Sequence, residues 1–386
     1  MVRPTGGAHL QGGSNATLSS GSELPFGRHP KNVKLSIVDQ SPVPAGFTAA
    51  DALHNSIELA KLAEGLGYER FWIAEHHAMQ TLASPAPEIL MARVAAETTR
   101  IRVGSGAVLL PHYSPLKVAE TFRMLHALHP GRIDLGIGRA PGGSPLEAYA
   151  LQRERGTQKQ PDDFGEQLAE LLAFLHGGFP PNHPFSRIEV SPAMPGAPEV
   201  WLLGSSPWSA SVAAQFGLPY AFAHFIDPEP TRRAMELYKN RFVPSAYLEE
   251  PKTLVALGVL CAETQEEAER LFLSSRLLLR RIRSGDRRPV PTPEEALHEL
   301  GNGPDPLFPG PGEWPRYIIG TPDNVRVRLL EMAAALGTEE IMAVTITHSH
   351  QARLRSYQLL AEAFGITEPE QPSRYERPIE AAHGRV

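Results

Sequence analysis

The chain is 386 residues long, enough for one large domain or two ordinary ones, and burying a core is no difficulty at that length. Its 37 Lys and Arg against 43 Asp and Glu leave a net charge of -6 with no long basic block, which argues against a nucleic-acid partner. No window approaches about 18 uninterrupted apolar residues, so no membrane span is expected. The one cysteine, Cys261, leaves no intramolecular disulfide and fits a reducing cytoplasm.

Residues 1–32 are rich in Gly, Ser and Thr and lack the apolar core of a signal peptide; they read as a disordered leader to a domain over 33–366. From Val33 onward, strand-like apolar runs alternate with helix-like stretches, the pattern of a parallel sheet made of β/α units. Lys34 to Asp39 is the first strand. Thr48, with Asp51 three residues on, is a capping pair opening a helix that carries Leu53, Ile57, Ala60 and Ala63 along one face, and Gly67 ends it. Phe71 to Ala74 reads as a short strand buried on both faces and bounded by charge, and it runs into Glu75, His76 and His77. Polar chemistry at the tip of a buried strand is where a β/α barrel keeps its active site. Alternation would send Glu75 and His77 to one side and His76 to the other, so the adjacent imidazoles could not grip one metal.

A helix over Pro87 to Thr98 leads to a third strand, Ile101 to Leu110, and Ser114-Pro115 starts the next helix, Val118 to Leu128. After the turn at Pro130-Gly131, the fourth strand, Arg132 to Arg139, alternates Ile133, Leu135 and Ile137 with Asp134, Gly136 and Gly138. One face is aliphatic and the other nearly bare, which either makes room for a ligand inside a barrel or eases its curvature. A helix near Asp163 to Leu175 comes next, then a Pro- and Gly-rich excursion over Gly177 to Pro198 with one hairpin expected, then a fifth strand, Val200 to Leu203. Gly204, Ser205, Ser206 and Pro207 make a small-residue turn into a helix start capped by Ser206. Exposed N–H groups there, with the hydroxyls of Ser206 and Ser209, suit a phosphate, although capping serines usually only cap.

Leu218 to Ala223, a helix from Pro230 to Phe242, Thr253 to Cys261 and a helix opened by Thr264 and Glu267 continue the rhythm. Residues 283–317 break it with repeated prolines, a stretch read as an insertion and lid before the last β/α unit. Thr321-Pro322 opens a helix through Leu336, Glu340 to Thr347 is the last strand, and a terminal helix closes at Gly365 ahead of a loose tail over 367–386. About eight strands and eight helices with no domain-separating linker favour a closed (β/α)8 TIM barrel over an open sheet.

Five fragments, taken in order and spacing, resemble the bacterial luciferase-like flavin-dependent monooxygenases: Glu75 to His77, Gly104 to Pro111, Pro130 to Arg139, Gly204 to Ser206, and Ile319 to Asp323. The similarity covers Lys34 to Gly365. It implies a barrel that binds reduced flavin, usually FMN, and a homodimer through the outer helices after the second and third strands. Arg139 falls where the family holds the flavin phosphate, with Gly204, Ser205, Ser206 and Ser209 completing that site. The residue types agree, since a phosphate dianion wants a fixed guanidinium plus a helix start. Gly106-Ala107 matches the place of a non-prolyl cis peptide lying against the flavin ring. Glu75 and His76 fall at positions lining the ring, His76 as candidate acid or base because an imidazole titrates near neutrality. The bland alternative is that Glu75 and the histidines only hydrogen-bond one another. His77 and His112 are placed at the mouth as substrate contacts.

The resemblance thus implies a cytoplasmic monooxygenase in which reduced FMN, delivered by a separate flavin reductase, meets O2 in a shielded pocket and oxidises a small organic substrate. No Gly-x-Gly-x-x-Gly opens a helix after the first strand, which argues against a built-in nicotinamide domain. Hydride transfer with the deazaflavin F420 in the same barrel is the alternative. Outside that class stand a flavin-binding barrel without turnover and a metal-dependent hydrolase built on the Glu75-His76-His77 tip with His112, His126 and His129. Zinc needs three or four convergent ligands, whereas His126 and His129 sit before Pro130, away from the mouth, so no metal is expected.

Overall fold

The computed structural model describes residues 33–151, 163–301 and 314–366; the expected leader, the tail and the middle of the insertion lie outside these described residues. In chain order the elements are β1 (Lys34–Asp39), α1 (Ala49–Leu66), β2 (Arg70–Ile73), α2 (Pro87–Glu97), β3 (Arg102–Ser105), β4 (Val108–Leu109), α3 (Pro115–Leu128), β5 (Ile133–Gly138), α4 (Pro145–Leu151) and α5 (Phe164–His176). They continue as β6 (Glu199–Gly204), α6 (Pro207–Phe216), β7 (Tyr220–Ala223), α7 (Thr231–Arg241), β8 (Thr253–Cys261), α8 (Gln265–Arg283), α9 (Pro293–Leu300), β9 (Tyr317–Gly320), α10 (Pro322–Leu336), β10 (Glu340–Val344) and α11 (His350–Phe364).

Every strand pairing is parallel, in the order β1, β2, β3, β5, β6, β7, β8, β10, and β10 returns to β1, so eight strands close a (β/α)8 barrel. β4 carries on beside β5 where β3 stops, and β9 lies along the far end of β8. Helix α1 starts and ends where the sequence says it should. The Thr48 hydroxyl accepts the Asp51 N–H at 3.1 Å while the Asp51 carboxylate accepts the Thr48 N–H at 2.8 Å, and Gly67 ends α1 at φ 87°, a conformation that favours glycine. On β5 the aliphatic residues Ile133, Leu135 and Ile137 face outward into the large core between barrel and helices, with Val103, Phe122 and Leu168. A smaller apolar cluster fills the barrel itself, including Val38, Trp72, Trp201, Leu254 and Met342. Among the described residues no helix is long and apolar enough to cross a membrane.

Four expectations are corrected. The third strand is not continuous from Ile101 to Leu110: it stops at Ser105 and resumes at Val108, and the Gly106-Ala107 bond between them is cis. The excursion over 177–198 carries no hairpin; it runs in turns with a cis Ser191-Pro192 bond. The last strand ends at Val344, and Thr345 and Thr347 turn their hydroxyls to backbone carbonyls beyond it. The insertion is not loop throughout, since Thr292 caps α9 by accepting the Glu295 N–H.

The N-terminal ends of the strands carry a buried ion network that seals that end. Arg70, 2% exposed, donates from Nε to Glu340 at 2.6 Å and from Nη1 to Asp134 at 2.8 Å. Asp134 also accepts from Trp72 Nε1 at 2.9 Å and from Arg102, and Ser36 donates to Glu340 at 2.6 Å. Arg102 and Lys252 both reach Glu199, and the Arg70 guanidinium sits 4.9 Å from the centre of the Trp201 ring. The charge that bounds the second strand in the sequence is therefore part of the interior.

Candidate active site

At the opposite end, the C-terminal ends of the strands surround a cavity of about 460 Å³. That is within the ordinary range for a small-molecule site and in the usual place for this architecture. Its wall takes inward residues from β1 (Val38, then Gln40), the β2 tip (Ala74, Glu75, His76), the cis bond (Gly106, Ala107), the β5 tip (Gly138, Arg139) and the turn after β6 (Gly204, Ser205, Ser206).

Strict alternation does not carry past the end of β2 at Ile73: Glu75 and His77 meet each other, yet Glu75 and His76 both line the cavity. Glu75 is 3% exposed, and both carboxylate oxygens are engaged. Oε2 accepts the Leu109 N–H at 3.0 Å, and Oε1 accepts the Tyr113 hydroxyl at 2.8 Å and His77 Nε2 at 2.7 Å. Burial first, and the neighbouring Glu75 charge second, push the Tyr113 phenol well above its usual range, so it keeps its proton and stays a donor. Sequence reasoning misses Tyr113, because nothing local marks a tyrosine 38 positions away as a partner of Glu75. With three donors on it, Glu75 ties the β2 tip to β4 and to the turn beyond it.

The His76 backbone N–H donates to the Ser84 carbonyl at 2.9 Å, while its ring lines the cavity and its Nε2, shut off from solvent, has no hydrogen-bond partner. Burial, then the neighbouring His77, lower its pKa to about 4. It is therefore neutral at pH 7, not poised near neutrality as its residue type suggests, and offers one donor and one acceptor nitrogen. A second neutral imidazole stands beside the mouth. His224 is fully buried with Nε2 3.0 Å from the Pro315 carbonyl and Nδ1 2.7 Å from the Thr231 hydroxyl, and burial lowers it to about 4 as well.

His77 and His112 do not line the cavity. His77 donates its N–H to the Gly142 carbonyl at 3.0 Å, His112 Nε2 lies 3.0 Å from the Pro141 carbonyl, and the two rings meet edge to face at 5.9 Å. Together they brace the loop between β5 and α4.

The bare face of β5 has a local cause. A Cβ on Gly136 would fall 2.1 Å from the Ser105 carbonyl oxygen, so close approach of the neighbouring chain requires glycine there. Gly138 does line the cavity, with its Cβ position 3.2 Å from Ala107 Cβ.

Arg139 reaches the turn after β6, where its guanidinium stacks 4.1 Å over the Trp208 ring. Ser206 caps α6, its Oγ accepting the Ser209 N–H at 3.5 Å. The Ser209 hydroxyl donates to the Ser206 carbonyl at 2.7 Å and lies 3.0 Å from the Tyr220 hydroxyl. A Cβ at Gly204 would sit 2.3 Å from that hydroxyl, so Gly204 and Ser209 set the turn, and both line the cavity together with Arg139, Ser205 and Ser206. His126 lies in the last turn of α3 and His129 caps its end, both away from this mouth. Among the described residues no three His, Cys, Asp or Glu side chains converge as a metal-ligand set. Cys261 is buried in β8, and burial pushes its thiol up to about 12, which leaves it an inert core residue.

Residues 33–340 match the family described as luciferase-like monooxygenase. The crystal structure of apo-MsnO8 shares 52% identity, with a TM-score of 0.81 over 88% of this chain and 99% of that one. The N-acetyl-S-alkylcysteine monooxygenase of Bacillus subtilis (strain 168) is 37% identical over 336 residues, 86% of this chain and 98% of its own length. The oxygenating constituent of 3,6-diketocamphane monooxygenase from the CAM plasmid of Pseudomonas putida, in complex with FMN, shares the fold at 21% identity and a TM-score of 0.63, over 86% of this chain and 98% of that one.

Proposed function

This chain belongs to the luciferase-like monooxygenase family and is a flavin-dependent monooxygenase; from that premise we propose that its flavin is reduced FMN from a separate flavin reductase, and that it oxidises a small organic substrate with O2. The observation that carries the choice of FMN is the meeting of Arg139 with the Gly204-Ser205-Ser206 turn at the start of α6, on one side of the cavity. A guanidinium and a helix N-terminus together suit a phosphate dianion, each charge-assisted bond contributing on the order of 1.5–3 kcal/mol. At the β2 corner the shielded, unpartnered His76 Nε2 is a group that a polar ring edge would satisfy.

The bound flavin supplies the activation of O2 and the transfer of oxygen. The residues supply position and a dry site. Arg139, Ser205 and Ser206 hold the phosphate, and Gly106 and Ala107 form a flat wall for the ring. His76, neutral near pH 7, donates or accepts one hydrogen bond within that wall. Glu75 is a positioning residue that fixes the β2 tip against Leu109 and Tyr113. His77 and His112 act on substrate through the loop they brace. The described part of the insertion reaches the mouth: the Val290 N–H donates to the Val43 carbonyl at 2.8 Å, and the Val290 side chain is buried in the inner cluster. We assign the 283–317 stretch a covering role on that ground.

The outer faces of α2 and α3 expose Ile89, Met124 and Leu128, each more than half accessible, around a shared groove, and this is the surface we assign to a homodimer in the cytoplasm. The test of function is anaerobic titration with reduced FMN, then admission of O2 with oxygen consumption recorded. Saturable binding with oxygen uptake supports the proposal. Binding of F420 without oxygen uptake moves the protein to hydride transfer, and FMN binding with neither uptake nor product marks a barrel without turnover.

A further inference from the structure

Gln40 is a carboxamide on the cavity wall whose side chain has no hydrogen-bond partner among the described residues. It stands directly after β1. The register Val38 with Trp72 and Asp39 with Ile73 places it beside Ala74, and alternation turns Val38 and Gln40 inward together with Trp72, where Ala74 and His76 line the cavity with them. Around the closed ring β1 and β6 are four strands apart, on opposite sides of the mouth, and the Gly106-Ala107 bond lies between them on the β3 side. A molecule whose phosphate rests at the start of α6 therefore extends across the mouth, past the cis bond, toward β1 and β2.

The polar groups at that far corner are few. Glu75 has both oxygens engaged, His76 brings the single unpartnered atom Nε2, and the serines and Arg139 are on the other side. An isoalloxazine has two unlike edges, a dimethylbenzene edge with nothing to hydrogen-bond and an imide edge in which one N–H stands between two carbonyls. A carboxamide presents one donor and one acceptor side by side and so answers an N–H and its neighbouring carbonyl two for two. Resting on the FMN reading above, we propose that Gln40 reads the imide edge of the flavin and so fixes which way round the ring lies in the barrel.

Titration of oxidised FMN by fluorescence tests this, using the wild-type chain, Gln40→Met, which keeps length without the amide, and Gln40→Ala as a second variant should the first not fold. N3-methyl FMN, which lacks the imide donor, is titrated in parallel. The wild type is expected to bind FMN roughly tenfold more tightly than Gln40→Met, the loss of about one or two hydrogen bonds, and that preference should shrink for N3-methyl FMN. Equal FMN affinity in wild type and variant, or the same loss with both flavins, overturns the assignment of Gln40 while leaving FMN in place. Failure of the wild type to bind FMN at all overturns the FMN reading and this inference with it.

Discussion

The two ends of the barrel use polar residues in opposite ways. At the N-terminal ends of the strands, Arg70, Asp134, Glu340, Arg102, Glu199 and Lys252 are paired with one another, and the interior between them is filled by Trp72 and Trp201. At the C-terminal ends Gln40 and His76 face a cavity, among the described residues one without any side-chain partner and the other with a shielded, unpartnered Nε2. A paired ion has no reason to meet a ligand, because its hydrogen-bonding capacity is spent and unpairing it is costly. Unspent groups in a cavity stand ready for one. One end therefore holds the molecule together and the other holds something else.

That contrast breaks first if the sealed end proves dispensable. Arg70→Met strands Asp134 and Glu340 without their buried counter-ion, and the expected loss is about 3–5 kcal/mol in denaturant unfolding; a loss below about 1 kcal/mol would show that the network only decorates the interior. Acid should then strike the open end. The His224 pKa is lowered to about 4 in the folded chain against a usual 6.5, so the unfolded chain binds more protons between those values. Stability is therefore full above about pH 6.5 and falls as pH drops toward 4, by up to about 3 kcal/mol for that imidazole. His76 adds to the fall in the same direction. Unfolding midpoints from pH 7 to pH 4.5 should decline in the wild type and less in His224→Gln, and a flat profile would refute the sign.

Arg139→Ala sharpens the comparison from the other side. FMN affinity should drop by the equivalent of about 1.5–3 kcal/mol, roughly ten- to a hundredfold, with riboflavin binding and the unfolding midpoint nearly unchanged. A matching loss for riboflavin would mean that Arg139 supports the wall and not a phosphate. The smallest effect is assigned to Glu75→Gln, in which one acceptor becomes a donor facing donors. About 1–2 kcal/mol of stability should go, while the pH profile of turnover keeps its shape. Disappearance of a titrating limb from that profile would make Glu75 a catalytic group.

Local physics makes the frame legible. The Thr48-Asp51 box, Gly67, the Ser206-Pro207 start and the period-two face of β5 each depend on neighbours within a few residues, and each is found where the sequence puts it. The inward side of the site is partly readable too, since a polar residue at a buried strand tip is a local signal. Gln40 carries that same signal at the end of β1, but more faintly, because an uncharged amide does not stand out beside Asp39. What is illegible is long-range. Arg70 and Glu340 are 270 positions apart, and in the sequence Arg70 looks like an ordinary charge bounding a strand. Ser209 and Tyr220, and Glu75 and Tyr113, pair only because the barrel closes. The depressed pKa of His76 likewise belongs to its burial and not to its residue type.

Trp208 gives the molecule its own optical reporter. Trp201 is fully buried in the barrel interior over the Arg70 guanidinium, and Trp72 is fully buried with its indole N–H held by Asp134, so neither has a face for an anion. Trp208 is 40% exposed, lines the cavity and stacks on Arg139. Its emission should therefore respond when an anion takes the guanidinium, so that inorganic phosphate alone, which cannot stack or absorb, would register at that end of the site before any flavin is added.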